Sequence, residues 1–201
     1  MSDDYAAARQ AIRDFVRRWF TELCDSHPDE HFYAFSFCLH DDFVGQLLSA
    51  NTIEDWGAQE EPDAEEYTWN PGAWEHQTPF EEAWDAIKKT DDDADNHVDR
   101  AVLEYQAKCI GATIEALKDL ADEGLWRRGK SHVFVFMTIW DSADCKWLQN
   151  ESARRINPPE LYSTHPLQPT DYDWIKQSPI HPRKRGELGK VFHELFGEPK
   201  P

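Results

Sequence analysis

No run of about 18 consecutive apolar residues occurs in the sequence, so an ordinary membrane-spanning helix is not expected. The opening residues Met1-Ser2-Asp3-Asp4 are acidic, with neither the basic flank nor the apolar stretch of a secretory signal. Cysteine is scarce: Cys24, Cys38, Cys109 and Cys145 stand far apart and form no CxxC. They read as reduced, mostly buried thiols of a cytoplasmic protein. Glycine (9) and proline (12) are too few for a low-complexity or collagen-like chain. Basic residues are also in short supply, with 21 Lys and Arg against 39 Asp and Glu, a formal charge of −18. Free nucleic acid and an anionic membrane surface both need a basic footprint and are excluded on that ground. A basic protein partner is what this charge admits.

What the chain has in quantity is aromatic and acidic. Nine Trp and 11 Phe among 201 residues argue against disorder, and the length suffices for one domain with a sizeable core. The charge is uneven. Residues 1–124 hold 30 acids and 9 bases, whereas residues 125–201 hold 9 acids and 12 bases. The 46 residues from Glu54 to Asp99 alone hold 16 acids and 2 bases.

Helical periodicity is clear from Tyr5 to Leu23, with Asp3 or Asp4 as cap and His27-Pro28 as stop. Arg9, Arg13 and Arg17 fall on the opposite face. Phe32–Leu39 predicts a strand with Tyr33, Phe35, Phe37 and Leu39 on one face and Ala34, Ser36 and Cys38 on the other. Val44–Ala50 predicts its antiparallel hairpin partner. Asn51–Thr78 is irregular, with a short strand expected near Gly72–His76. Thr78-Pro79-Phe80-Glu81 has the cap, the proline and the acid of a helix start, with Ala83, Trp84 and Ile87 extending its apolar face. A long helix is predicted from Asn96 to Glu123, ended by Gly124 and clamped by Leu125. His132–Trp140 is apolar on both faces and predicts a central strand. A helix from Asp141 to Ile156 follows. Beyond it lies a Pro-rich arm ending in an amphipathic helix at Leu188–Phe196. The expected fold is α+β: a small, mostly antiparallel sheet packed by helices. Residues 1–160 form the domain and 161–201 the arm.

Most catalytic chemistries lack their residues. His27, His31 and His40-Asp41-Asp42 cluster in sequence, but no HExxH, no CxxC and no i, i+4 His pair on a helix supplies zinc spacing. Asp91, Asp93 and Asp95 imitate the start of a calcium loop. Asn96 stands where its Gly belongs and Val102 where its closing Glu belongs, so no metal is expected. There is no GxSxG, no GxxxxGK[ST] and no GxGxxG. An enzyme would have to use Cys38, His132 and Asp141, a weak set. Arg183-Lys184-Arg185 is either a solvated tail or a clamp onto the acidic half.

The stretch from Asn51 to Glu75 interleaves tryptophans with carboxylates. Trp56, Trp69 and Trp74 are anchors if exposed and a satellite core if not. Asp55, Glu60, Glu61, Asp63, Glu65 and Glu66 would steer a cationic partner onto them.

Several short motifs in order resemble a bacterial family catalogued as a domain of unknown function. They are Phe32–Phe37 with the acidic turn Asp41-Asp42-Phe43, then Ala50-Asn51-Thr52, then Tyr67–Glu75. Phe134–Asp141 and Ser152–Pro158 complete the set, so the likeness covers about residues 5–160. The resemblance implies a domain placed beside polymorphic-toxin genes in the manner of SUKH-type immunity proteins. It brings no catalytic residue and no cofactor. The functional expectation is an acidic immunity or inhibitor protein that occludes a basic protein toxin of nuclease type, without catalysis. The alternatives are an enzyme of unknown substrate and an acidic scaffold domain.

Overall fold

The computed structural model describes residues 3–40, 46–58, 70–80, 100–129, 131–140, 144–163 and 186–198. Their order is α1 (Asp3–Ser26), β1 (Phe32–Leu39), β2 (Gln46–Thr52), α2 (Ile53–Ala58), a 3-10 turn (Pro71–Ala73) and β3 (His76–Pro79). Then come α3 (Arg100–Asp122), the ribbon β4 (Arg127–Arg128) and β5 (Ser131–His132), β6 (Phe134–Ile139), α4 (Cys145–Ile156), α5 (Pro159–Ser163) and α6 (Glu187–Phe196). The fold is α+β. Its sheet runs β3-β2-β1-β6, antiparallel except for the parallel β1–β6 pair.

The periodicity of α1 becomes burial: Ala8, Ile12, Val16 and Phe20 are all at or near zero exposure. They share the main core with Phe35, Phe37 and Leu39 of β1 and with Ile110, Leu117 and Leu120 of α3. Arg9, Arg13 and Arg17, one turn apart, form a seam along α3 rather than a solvated face. Arg9 forks onto Asp119 (2.9 and 2.6 Å) and reaches Glu115 (2.9 Å), while Arg13 and Arg17 share Glu123. These pairs are partly exposed, so each is worth only about 0.2–1 kcal/mol. α3 ends as its sequence predicts. Gly124 has φ +85°, its N–H meets the Ala121 carbonyl, and Leu125 N–H reaches back to Leu120.

Four local expectations are corrected. Tyr33 does not share the face of Phe35. A bulge between Phe32 and Ala34 turns it toward the second face, where it packs with Trp74, Phe134 and Phe136. Thr78-Pro79 belongs to β3, opposite Leu48 and Leu47, and Phe80 N–H donates to Gln46 (3.0 Å). Sheet pairing overrides the local helix signal there, and an edge strand tolerates the proline. The rest of that predicted helix, and the Asp91–Asp95 run, lie outside the described residues. The strand predicted at His132–Trp140 breaks at Val133 and is not central: among the described residues β6 pairs with β1 alone. It is nevertheless buried along its whole length.

The free edge of β6 is closed by side chains of the helix beside it. Asn157 accepts from Val135 N–H (2.9 Å) and donates to Val135 C=O (2.6 Å) and Ala153 C=O (2.8 Å). Ser152 accepts from Met137 N–H (2.8 Å) and donates to Leu148 C=O (2.7 Å). A neighbouring strand would satisfy the same groups. This is why an edge strand here has the composition of a central one.

Beyond Pro158, among the described residues, the amphipathic helix expected at Leu188–Phe196 is α6, and a short helix precedes it. α5 starts at Pro159, and α6 docks on α3 with Leu188, Val191 and Phe192 buried. Gly111 leaves room for the Phe196 ring, which a Cβ would meet at 2.2 Å. Asp144, the cap residue of α4, accepts from Gly186 N–H (2.9 Å) and so fixes the start of α6. No helix among the described residues is long and apolar enough to cross a membrane.

Candidate functional site

Because Phe32 pairs with Thr52, the chain entering β1 lies beside the chain leaving β2. This end of the sheet carries α2, the opening of the acidic stretch. Thr52 caps α2, its hydroxyl accepting from Asp55 N–H (3.1 Å). Ile53 N–H donates to His31 C=O (3.0 Å). The Glu54 carboxylate accepts from His31 N–H (2.8 Å) and pairs with His31 Nδ1 (2.6 Å). These two bonds, the backbone one first, hold the Glu54 carboxyl below its ordinary range. Fully buried Asn51 accepts from Thr52 N–H (3.0 Å) and donates to the Tyr33 hydroxyl (2.9 Å). Asn51 and Thr52 therefore seat α2.

On that seat, Ile53 is 53% exposed, the larger of two such exposures among big apolar side chains described. Glu54 is exposed beside it, and Asp55 and Trp56 are half-buried. An exposed apolar side chain followed in sequence by two acids, on a helix tied to the sheet at its first turn, offers an apolar and acidic surface.

Of the residues expected to bind a partner, Asp55 and Trp56 are here. Trp74 is not available. It is 2% exposed and packs edge-on to Phe136 at 6.0 Å, covering the second face of the sheet. Its segment is pinned by Asn70, which accepts from Gly72 N–H (3.2 Å), and by Gln77, which donates to the Pro71 and Trp74 carbonyls (3.0 and 2.8 Å). Trp74 thus belongs to the satellite core. Glu60, Glu61, Asp63, Glu65, Glu66 and Trp69 lie outside the described residues. Ile53 was missed because an isolated isoleucine at a strand-to-helix junction has no periodicity to mark it.

The Cys38–His132 pair is not assembled. Cys38 lies on β1 and His132 on β5, which belong to separate sheets, and Cys38 is opposite Thr138 of β6, six residues beyond His132. At the usual strand rise the two are roughly 20 Å apart. Cys38 is also fully buried, and burial pushes its thiol up to about 12. Asp141 lies outside the described residues. A cavity of about 390 Å³ opens near Lys118, Asp122, Trp126, Arg127, His132 and Arg155. Its lining includes no hydroxyl or thiol side chain. Two of its cations are already engaged, Lys118 by Asp122 (3.1 Å) and Arg155 by Glu151 (2.6 Å).

One group of described side chains is close enough to hold a metal ion: His27, Glu30 and His76, with one donor atom of each within 4.8 Å of the others. No local spacing foretold it, because 46 residues separate Glu30 from His76.

A family model described as Domain of unknown function (DUF4303) matches residues 12–158. No curated protein and no solved structure matches the chain.

Proposed function

We propose that this chain, which belongs to the DUF4303 family, is an acidic inhibitor that binds and occludes a basic protein, in the manner of an immunity protein against a nuclease-type toxin. The observation that carries the reading is Ile53, half-exposed among Glu54, Asp55 and Trp56 on a helix anchored at its first turn. The charge of −18 supports it independently. A protein that grips nucleic acid must present a basic cleft, and an acidic surface competes for that cleft. Carboxylates then steer the encounter, and apolar side chains at the centre of the contact slow dissociation.

The work divides accordingly between two sets of residues. Reversing Glu60, Glu61, Glu65 and Glu66 together should slow association and weaken its salt dependence, since steering is screened over about 8 Å at physiological ionic strength. Replacing Ile53 by Asp should leave the fold intact, because surface changes cost within about 0.5 kcal/mol. It should instead speed dissociation, at a cost of about 2 kcal/mol if Ile53 is a hot spot. The test is co-expression with a basic nuclease-type toxin, the product of a neighbouring gene where that gene encodes one. The wild-type chain should protect cells, and the variants should fail in proportion to their binding. Full protection by the five-residue combined variant removes this surface from the mechanism. Turnover of a substrate by the purified chain alone replaces the inhibitor reading by an enzymatic one.

A further inference from the structure

We propose that His27, Glu30 and His76 form a binding site for a zinc-type divalent cation, with a fourth coordination position left open. The three come from the end of α1, the turn after it and the first residue of β3. Their donor atoms lie within 4.8 Å of one another, and His76 Nε2 is 2.8 Å from Glu30 Oε2. Zinc with ligands at about 2.0–2.1 Å in a tetrahedral arrangement spaces its donors about 3.3 Å apart. The widest pair, at 4.8 Å or less, then closes by at most about 1.5 Å, and the 2.8 Å pair opens by about 0.5 Å. Side-chain rotation covers both.

The local backbone prepares the donors. His27 N–H ends α1 on the Leu23 carbonyl (3.1 Å), and Glu30 N–H closes the turn onto His27 C=O (3.2 Å). The His27 ring places Nδ1 3.0 Å from the same Leu23 carbonyl. A carbonyl only accepts, so Nδ1 carries a proton, and in the neutral ring the lone pair is then on Nε2. This is the arrangement in which a histidine ligates a metal, its second nitrogen fixed by a backbone acceptor. His76 is held from the other side by its pairing with Ala50 and by the Phe32 ring, 5.5 Å away. Its side chain is 9% exposed and that of Glu30 is 28% exposed, so the donors are partly withdrawn from water. The two imidazoles meet edge to face at 4.7 Å rather than stacking.

Donor chemistry sets the class of ion. Two imidazoles and one carboxylate suit zinc. Calcium and magnesium prefer all-oxygen sites, and no thiolate is present to select a softer metal. An ordinary His76–Glu30 ion pair explains two of the three residues. It does not account for the His27 ring, which brings a ring nitrogen within 4.8 Å of a donor atom of each of the other two.

The test uses the full chain stripped with a chelator. Zn²⁺ is titrated in competition with a chromophoric chelator, and Co²⁺ is followed by visible absorption. The expected result is one equivalent bound. His76→Ala and His27→Ala should each weaken binding at least 10-fold, and His40→Ala should not. Because a variant can misfold, the wild-type chain is also examined by NMR. One equivalent of Zn²⁺ should shift the ring resonances of His27 and His76 and leave those of His40 and His193 in place. Absence of stoichiometric binding, undiminished binding by His27→Ala/His76→Ala, or perturbation of other histidines instead overturns the site. None of these outcomes bears on the inhibitor reading, whose residues lie on α2 and beyond.

Discussion

Replacing Asn157 by Ala tests how β6 can be an edge strand and still lie in the core. Asn157 is 8% exposed. Its amide makes three bonds: from Val135 N–H at 2.9 Å, to Val135 C=O at 2.6 Å and to Ala153 C=O at 2.8 Å. Alanine removes them all and leaves Val135 with an unmet donor and an unmet acceptor. Each such group costs about 1–3 kcal/mol when buried. We therefore expect a loss of about 2–6 kcal/mol, toward the lower end if water enters the space the amide leaves. A second variant separates bonding from packing. Asn157→Asp keeps the volume and the acceptor for Val135 N–H, but turns oxygen lone pairs toward two carbonyls. It should cost at least as much as alanine at neutral pH. Backbone conformation offers no rival explanation, since Asn157 has φ −83° and ψ 153°, open to any residue. Urea unfolding should show a lower midpoint with an unchanged slope, and amide exchange at Val135 should accelerate more than at Phe134 or Phe136. A change under 0.5 kcal/mol in Asn157→Ala, or an aspartate variant as stable as wild type, refutes the reasoning.

Two further expectations concern ionisable groups. Burial raises the thiols of Cys38 and Cys109 to about 12 and that of Cys24 to about 11, so a thiol reagent at pH 8 should leave these three unmodified in the folded chain and label all of them in urea; rapid native labelling of Cys38 would contradict its placement in β1. Burial first, and Glu187 more weakly, raise the Asp144 carboxyl, while Gly186 N–H opposes them. The fold thus favours protonated Asp144: its contribution is fully present below the usual aspartate pKa and is lost as pH rises through the elevated native value. Asp144→Asn should therefore melt at or above the wild-type temperature at pH 7, with the gap closing in acid, and a gap that widens in acid would reverse that sign.

The Ser152–Pro158 segment shows how a motif can be legible before its purpose is. Its order stands out in the sequence, and in the structure Ser152 and Asn157 are bonded to the backbone of β6. They replace a missing strand along the edge of β6. Trp74 teaches the same lesson, since an aromatic in an acidic stretch reads alike whether it faces a partner or a sheet.

Local pattern alone determined α1, α3, β1, the hairpin of β1 with β2, and α6. In each, the apolar spacing matches one secondary-structure period, and the burial that follows is the only stable way to hide it. Gly124 could be read as a helix end for a similarly local reason, because the left-handed conformation excludes most other residues. Tertiary structure decided the rest. Whether β6 is central or at an edge depends on what satisfies its outer backbone groups, and a helix can do so as well as a strand. Whether Thr78-Pro79 starts a helix or ends a strand depends on the presence of β2 alongside. His27, Glu30 and His76 meet because the sheet returns β3 to the end of α1. No spacing in the sequence encodes that meeting, since the distance between such groups is set by strand order and not by the number of residues between them.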